Sequence, residues 1–243
     1  MNQPVQDPGT LRKGEVIGGL LYLPVFFLGT PVLAALIVFL VTGNRVYEDV
    51  VGPIELVYTV LNAAFLGLIL RHYLVDQFRR LQNRGWTMFA DLGFGFLIYF
   101  AAAIGVTRIV TVLQALLQTE YQNANQDTVN RILAQWPLAA ILAACLLGPI
   151  GEELIFRGLI FCGLRRKSRY LAYGVSMLGF ALAHVFSSMF DQPVAVTLMS
   201  LLVYLPHGFA LAWTYERSGT VWCSVFLHAT MNVVSMLALH AMR

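Results

Sequence analysis

LAQWPLAAILAACLLGPIGEELIFRG, residues 133–158, is the stretch whose reading decides the fold. Leu133 to Ile150 carries no charge, and the apolar run resumes at once as LIFCGL, residues 159–164. A helix needs about 20 apolar residues to cross the hydrocarbon core of a bilayer, and this segment supplies them. Yet Glu152, Glu153 and Arg157 sit inside it. On insertion scales each such group costs at least ~2.5–3.5 kcal/mol at mid-membrane, so intramembrane ionisable residues are functional candidates by default.

The rest of the chain has the same character. Of 243 residues 58% are hydrophobic and 12% charged, and the mean hydropathy is +0.69. Soluble domains carry about 25% charged residues, so the composition excludes one and implies an all-α, polytopic transmembrane bundle. Cys145, Cys162 and Cys223 lie in apolar segments without metal-like spacing and read as small core residues. The net charge of +3 comes without a basic tract interleaved with aromatics, which leaves no case for nucleic acid. No repeat or low-complexity tract divides the chain. One membrane domain is expected over 1–243, with its motif-bearing core at about 133–240.

Charge-poor runs place seven spans: Ile17–Val41, Leu56–Val75, Met88–Leu117, Leu133–Leu164, Tyr170–Phe190, Val194–Tyr215 and Thr220–His240. A break at Arg108 would make eight. Asp76–Trp86 and Thr119–Asn130 read as ordinary loops. Arginine and lysine gather before the first span, after the second and after the fourth, and the other connections hold few. By the positive-inside rule the N-terminus faces the cytoplasm, in what is expected to be a bacterial inner membrane. The first run is too long for a signal-peptide core and is expected to be retained.

With that topology the buried polar groups reach one level. At 1.5 Å per residue, Glu152, His184 and His228 lie roughly 18, 21 and 15 Å from the basic helix ends. Glu153 and Arg157 are i and i+4, placed to pair on one helix face, while Glu152 points about 100° away. His228 and Asn232 are also i and i+4. A carboxylate beside an imidazole can take a proton from water. An imidazole beside an amide can donate to a developing oxyanion. Together they suit hydrolysis of an amide at midplane. Bland readings are preferred elsewhere: the Glu153–Arg157 pair as a structural support, His207 and His240 as helix-packing groups, and Arg108 as a snorkelling side chain or helix break.

The same residues carry a family likeness. EELIFR (Glu152–Arg157) resembles the EExxxR motif of the CAAX protease and bacteriocin-processing family, which includes the type II CAAX prenyl endopeptidases. FALAH (Phe180–His184) is similar to its FxxxH motif and HATMN (His228–Asn232) to its HxxxN motif. The resemblance covers about Leu147 to Ser235, and three motifs in order are far more specific than one. It implies a glutamate-type intramembrane endopeptidase that needs no cofactor. Glu152 and His184 would activate water, His228 and Asn232 would form the oxyanion site, and Glu153 and Arg157 would hold the motif. The implied partners are the lipid bilayer and a hydrophobic or lipidated peptide cut near its C-terminus.

Three other readings stay open at this point. Glu152, His184 and His228 are competent zinc ligands, so a zinc-dependent version is an alternative, disfavoured because Asn232 is a poor ligand. A non-catalytic immunity or scaffold protein could use the site to bind a peptide. A transporter could relay protons through midplane groups, although no repeated broken helices support it.

Overall fold

The computed structural model describes residues 9–241, with side chains up to residue 238. Among them there are helices and no strands, as the composition requires. Helix α1 is Lys13–Thr42, α2 Tyr47–Ile69, α3 Arg71–Gln82, α4 Thr87–Leu117, α5 Ala124–Gln135, α6 Pro137–Arg165, α7 Arg169–Val185, α8 Val194–Ser218 and α9 Val221–Ala241. Six of these, α1, α2, α4, α6, α8 and α9, are long and apolar enough to cross a membrane. The chain is a helical membrane bundle.

Several boundaries differ from the sequence reading, each for a local reason. The second span begins at Tyr47 rather than Leu56, because Glu55 lies within helix α2 and does not start it. The fourth loses its first turn to α5: Trp136 sits at φ −134°, ψ 62°, outside the helical region, immediately before Pro137. Helix α4 runs 31 residues through Arg108 without a break, so no eighth span forms. The fifth span contracts to 17 residues in α7. At 1.5 Å per residue it is roughly 25 Å long. The segment Asp76–Trp86 is not a loop either, since α3 continues to Gln82. His240 falls outside the residues whose side chains are described.

Helix α1 opens with Glu15 turned back over its first turn, where the carboxylate accepts from the Arg12 and Tyr73 backbone N–H groups, both at 2.8 Å. Directly after Pro24 the helix widens into a π turn, Val25–Gly29, before resuming. Helix α8 is the spine, packed along α4 and α7. Its approach to α7 is close enough to need Gly208, where a Cβ would stand 3.0 Å from the Met177 Cα.

One end of the bundle is tied by ions. Glu216 of α8 accepts from Arg165 (2.5 Å), Arg169 (2.7 Å) and the Tyr173 hydroxyl (2.8 Å). Asp91 of α4 pairs with Arg84 and, at 2.9 Å, with Arg217. Gln77 receives the Thr220 hydroxyl and the Val221 N–H at the start of α9. These ties fix the helices in register. The three cysteines are buried, as their apolar flanks suggest, and form no disulfide among the described residues.

Candidate active site

Helix α6 departs from α geometry on both sides of Glu152. Pro149 has no N–H to donate, and the turn before it, Ala143–Leu147, is a π turn in which the Gly148 N–H bonds to the Ala143 carbonyl. In an α-helix that N–H would have gone to Ala144. The freed Ala144 carbonyl instead accepts the Asn232 amide of α9 at 2.6 Å. A second π stretch, Leu154–Phe161, follows the glutamate pair. Wide turns of this kind are frequent at functional sites.

The two adjacent glutamates live in opposite environments. Glu153 is fully buried and saturated: it takes the Arg157 guanidinium at 2.9 Å, His228 Nδ1 at 2.9 Å and the Ser224 hydroxyl. Arg157, also fully buried, reaches on to the Gly208 carbonyl at 2.9 Å and lies 4.9 Å above the Phe180 ring. A buried pair of this kind needs such additional hydrogen bonds to offset its desolvation. Glu152 has 27% of its side chain exposed and faces His184 Nε2 at 3.6 Å and His228 Nε2 at 3.9 Å. Its Oε2 has no hydrogen-bond partner.

Both imidazoles are oriented from behind. His184 Nδ1 stands 2.9 Å from the Phe180 carbonyl, which can only accept, so that nitrogen carries a proton. In the neutral ring Nε2 is then a lone pair turned to Glu152. Phe180, the first residue of FALAH, is buried and packs on both His184 and His228, with ring centres at 4.3 and 5.6 Å. Tyr204 covers the other side of His184 at 4.5 Å, and its hydroxyl donates to Asn123 at 3.1 Å.

These groups line a cavity of about 320 Å³. A second recess, of about 300 Å³, shares Glu55, Asn125, Glu152 and His184 with it and continues into an aromatic wall formed by Phe26, Phe27, Tyr47 and Tyr58. The structure thus brings Glu152, His184, His228 and Asn232 into one cavity wall and sets Glu153 and Arg157 behind it. Among the described residues, no group of three or more His, Cys, Asp or Glu side chains is arranged to hold a metal ion.

Sequence reasoning missed part of the site. His207, read as a packing group, lines the cavity with its Nδ1 unpartnered and its ring 4.3 Å from Tyr99. The segment Thr119–Asn130, read as a loop, enters α5 and supplies Asn123, Asn125, Gln126 and Thr128 to the same cavity. Glu55, which directly precedes the expected second span Leu56–Val75, was not singled out. A signal for it existed: Glu55, Thr59 and Asn62 recur at i, i+4 and i+7, a polar stripe on an otherwise apolar helix.

Comparison with known proteins agrees with the motif resemblance. Residues 134–234 match the family model described as "Type II CAAX prenyl endopeptidase Rce1-like". The chain is 30% identical over 112 residues to "Putative membrane peptidase YdiL" of Bacillus subtilis (strain 168), a match covering 46% of this chain and 41% of that protein. It is 28% identical over 140 residues to "UPF0177 protein YxdF" of Lactococcus lactis subsp. lactis (strain IL1403), covering 56% and 70% of the two chains. No solved structure matches. The three motifs lie within the segment that matches the Rce1-like model, and helices α1 to α4 lie outside that model's match.

Proposed function

We propose that the chain is an intramembrane endopeptidase in which Glu152 and His184 activate water while His228 and Asn232 hold the oxyanion. The observation that carries this reading is the under-satisfied Glu152 carboxylate, facing two imidazole Nε2 atoms at 3.6 and 3.9 Å inside a cavity. Those separations exceed a direct hydrogen bond and suit a bridging water. A water held between a carboxylate and an imidazole lone pair loses a proton to them as its oxygen attacks a peptide carbonyl carbon. Glu152 then returns that proton to the amine leaving group as the C–N bond breaks, which restores the starting state.

The oxyanion role rests on donors. His228 Nδ1–H is donated to Glu153, and with a second proton at Nε2 the ring would also donate towards the cavity. Asn232 spends one amide hydrogen on Ala144 and keeps a second. Donors fixed in advance in a site of low polarity stabilise developing negative charge far better than water does.

A hydrophobic or lipidated peptide, cut near its C-terminus, suits the aromatic recess that adjoins Glu152. The family description, a prenyl endopeptidase, points the same way. The arginine-rich end of the bundle would face the cytoplasm of a bacterium. The test is cleavage of a mixed set of hydrophobic and prenylated peptides by the purified protein in liposomes, with and without a chelator. Cleavage that survives chelation but is lost in Glu152→Gln and His184→Ala supports the reading. Chelator-sensitive cleavage would replace it with the zinc-dependent alternative. Specific peptide binding that never leads to cleavage would replace it with a scaffold.

A further inference from the structure

Acidic side chains in the interior of the spans are almost all answered by the protein. Glu15 accepts two backbone N–H groups, Asp91 two arginines, Glu216 two arginines and a tyrosine, and Glu153 an arginine, a histidine and a serine. Glu152 has its two imidazoles. Glu55 is the exception. Eight residues into α2, its side chain makes no hydrogen bond or ion pair among the described residues, and it lines both cavities beside Glu152. Tyr47 and Tyr58 flank it in the second recess. Among the described residues, no lysine or arginine lines either cavity.

From this we infer that Glu55 is a specificity determinant, binding a lysine or arginine side chain of the peptide next to the bond that is cut. The inference rests on the protease reading and deepens it. A carboxylate in a low-polarity wall attracts a cation strongly because little water competes. The cation is placed at the scissile bond because Glu55 shares with Glu152 the residues at which the two cavities join. The aromatic rings of Tyr47 and Tyr58 would cover the aliphatic stem of such a side chain and favour its charged head. A substrate offering a carboxylate at this point would meet two glutamates and, among the described residues, no lysine or arginine.

The test uses the full-length protein in liposomes and apolar peptides about 20 residues long. Each carries one lysine, norleucine or glutamate, moved residue by residue through the sequence. For the wild type the expected kcat/KM is at least about tenfold higher for lysine than for norleucine when the residue lies within two positions of the cut. In Glu55→Gln that ratio falls to about one, and in Glu55→Lys the glutamate peptides overtake the lysine peptides. Equal cleavage of lysine and norleucine peptides by the wild type, or an unchanged ratio in Glu55→Gln, overturns the inference and leaves the protease reading standing. Binding of the same fluorescent peptides is measured in parallel. Lysine-selective binding that needs Glu55, without any cleavage, would support the inference and refute the protease reading. Neither cleavage nor selective binding would refute both.

Discussion

The two ends of the polarity scale in this bundle sit close together in space. At the basic end, each buried acid has at least as many partners as oxygens: Glu216 holds Arg165, Arg169 and Tyr173, and Asp91 holds Arg84 and Arg217. Glu153 continues that pattern in the middle of the membrane, with Arg157, His228 and Ser224. One residue earlier the pattern stops. Glu152 faces imidazoles beyond hydrogen-bond distance, and Glu55 faces the same cavities without a hydrogen-bond or ion-pair partner among the described residues. A saturated carboxylate fixes helices and has no lone pair to spare for water or substrate. An unsaturated one contributes little to the fold and is open to a proton, a water or a cation. Number of partners, more than depth or residue type, separates the scaffold from the chemistry.

That contrast can be broken by experiment, beginning where the effect is largest. Glu152→Gln keeps the shape and removes the proposed base, so turnover on any cleaved peptide is expected to fall about 10³-fold; a fall below tenfold would take Glu152 out of the chemistry. Arg157→Met leaves Glu153 buried without its cation. The expected loss of stability is about 3–5 kcal/mol, read from thermal unfolding in detergent. Asn232→Ala removes both the oxyanion donor and the latch on the Ala144 carbonyl, and turnover should drop about 10²-fold. The smallest effect is expected at the basic end. Glu216→Gln should cost about 1 kcal/mol, and less at high salt, because Arg169 is half exposed.

Much of this was legible in the sequence where spacing and polarity speak together. The i, i+4 pairs Glu153–Arg157 and His228–Asn232 and the lone His184 stand out against apolar runs, and simple helical rise set them at one depth. What could not be read came from the third dimension. Asn232 bonds to Ala144 only because a π turn frees that carbonyl, and the number of residues per turn cannot be seen in residue types. The segment Thr119–Asn130 is polar because it closes the cavity, yet polar residues between spans look the same in an exposed loop. Glu55 was misplaced by treating charge as a span boundary. In a helix with a water-accessible inner face, charge marks that face instead.

The most direct test of the account sets Glu152→Gln beside Glu153→Gln and measures melting temperature and peptide cleavage on the same reconstituted preparations. The two residues are neighbours on one helix, so depth and lipid environment are matched. The account predicts that Glu152→Gln melts with the wild type and cleaves about 10³-fold more slowly, whereas Glu153→Gln melts well below it. If Glu152→Gln cleaves at the wild-type rate, or if both variants lose stability equally, the division between a saturated scaffold carboxylate and an unsaturated catalytic one is wrong.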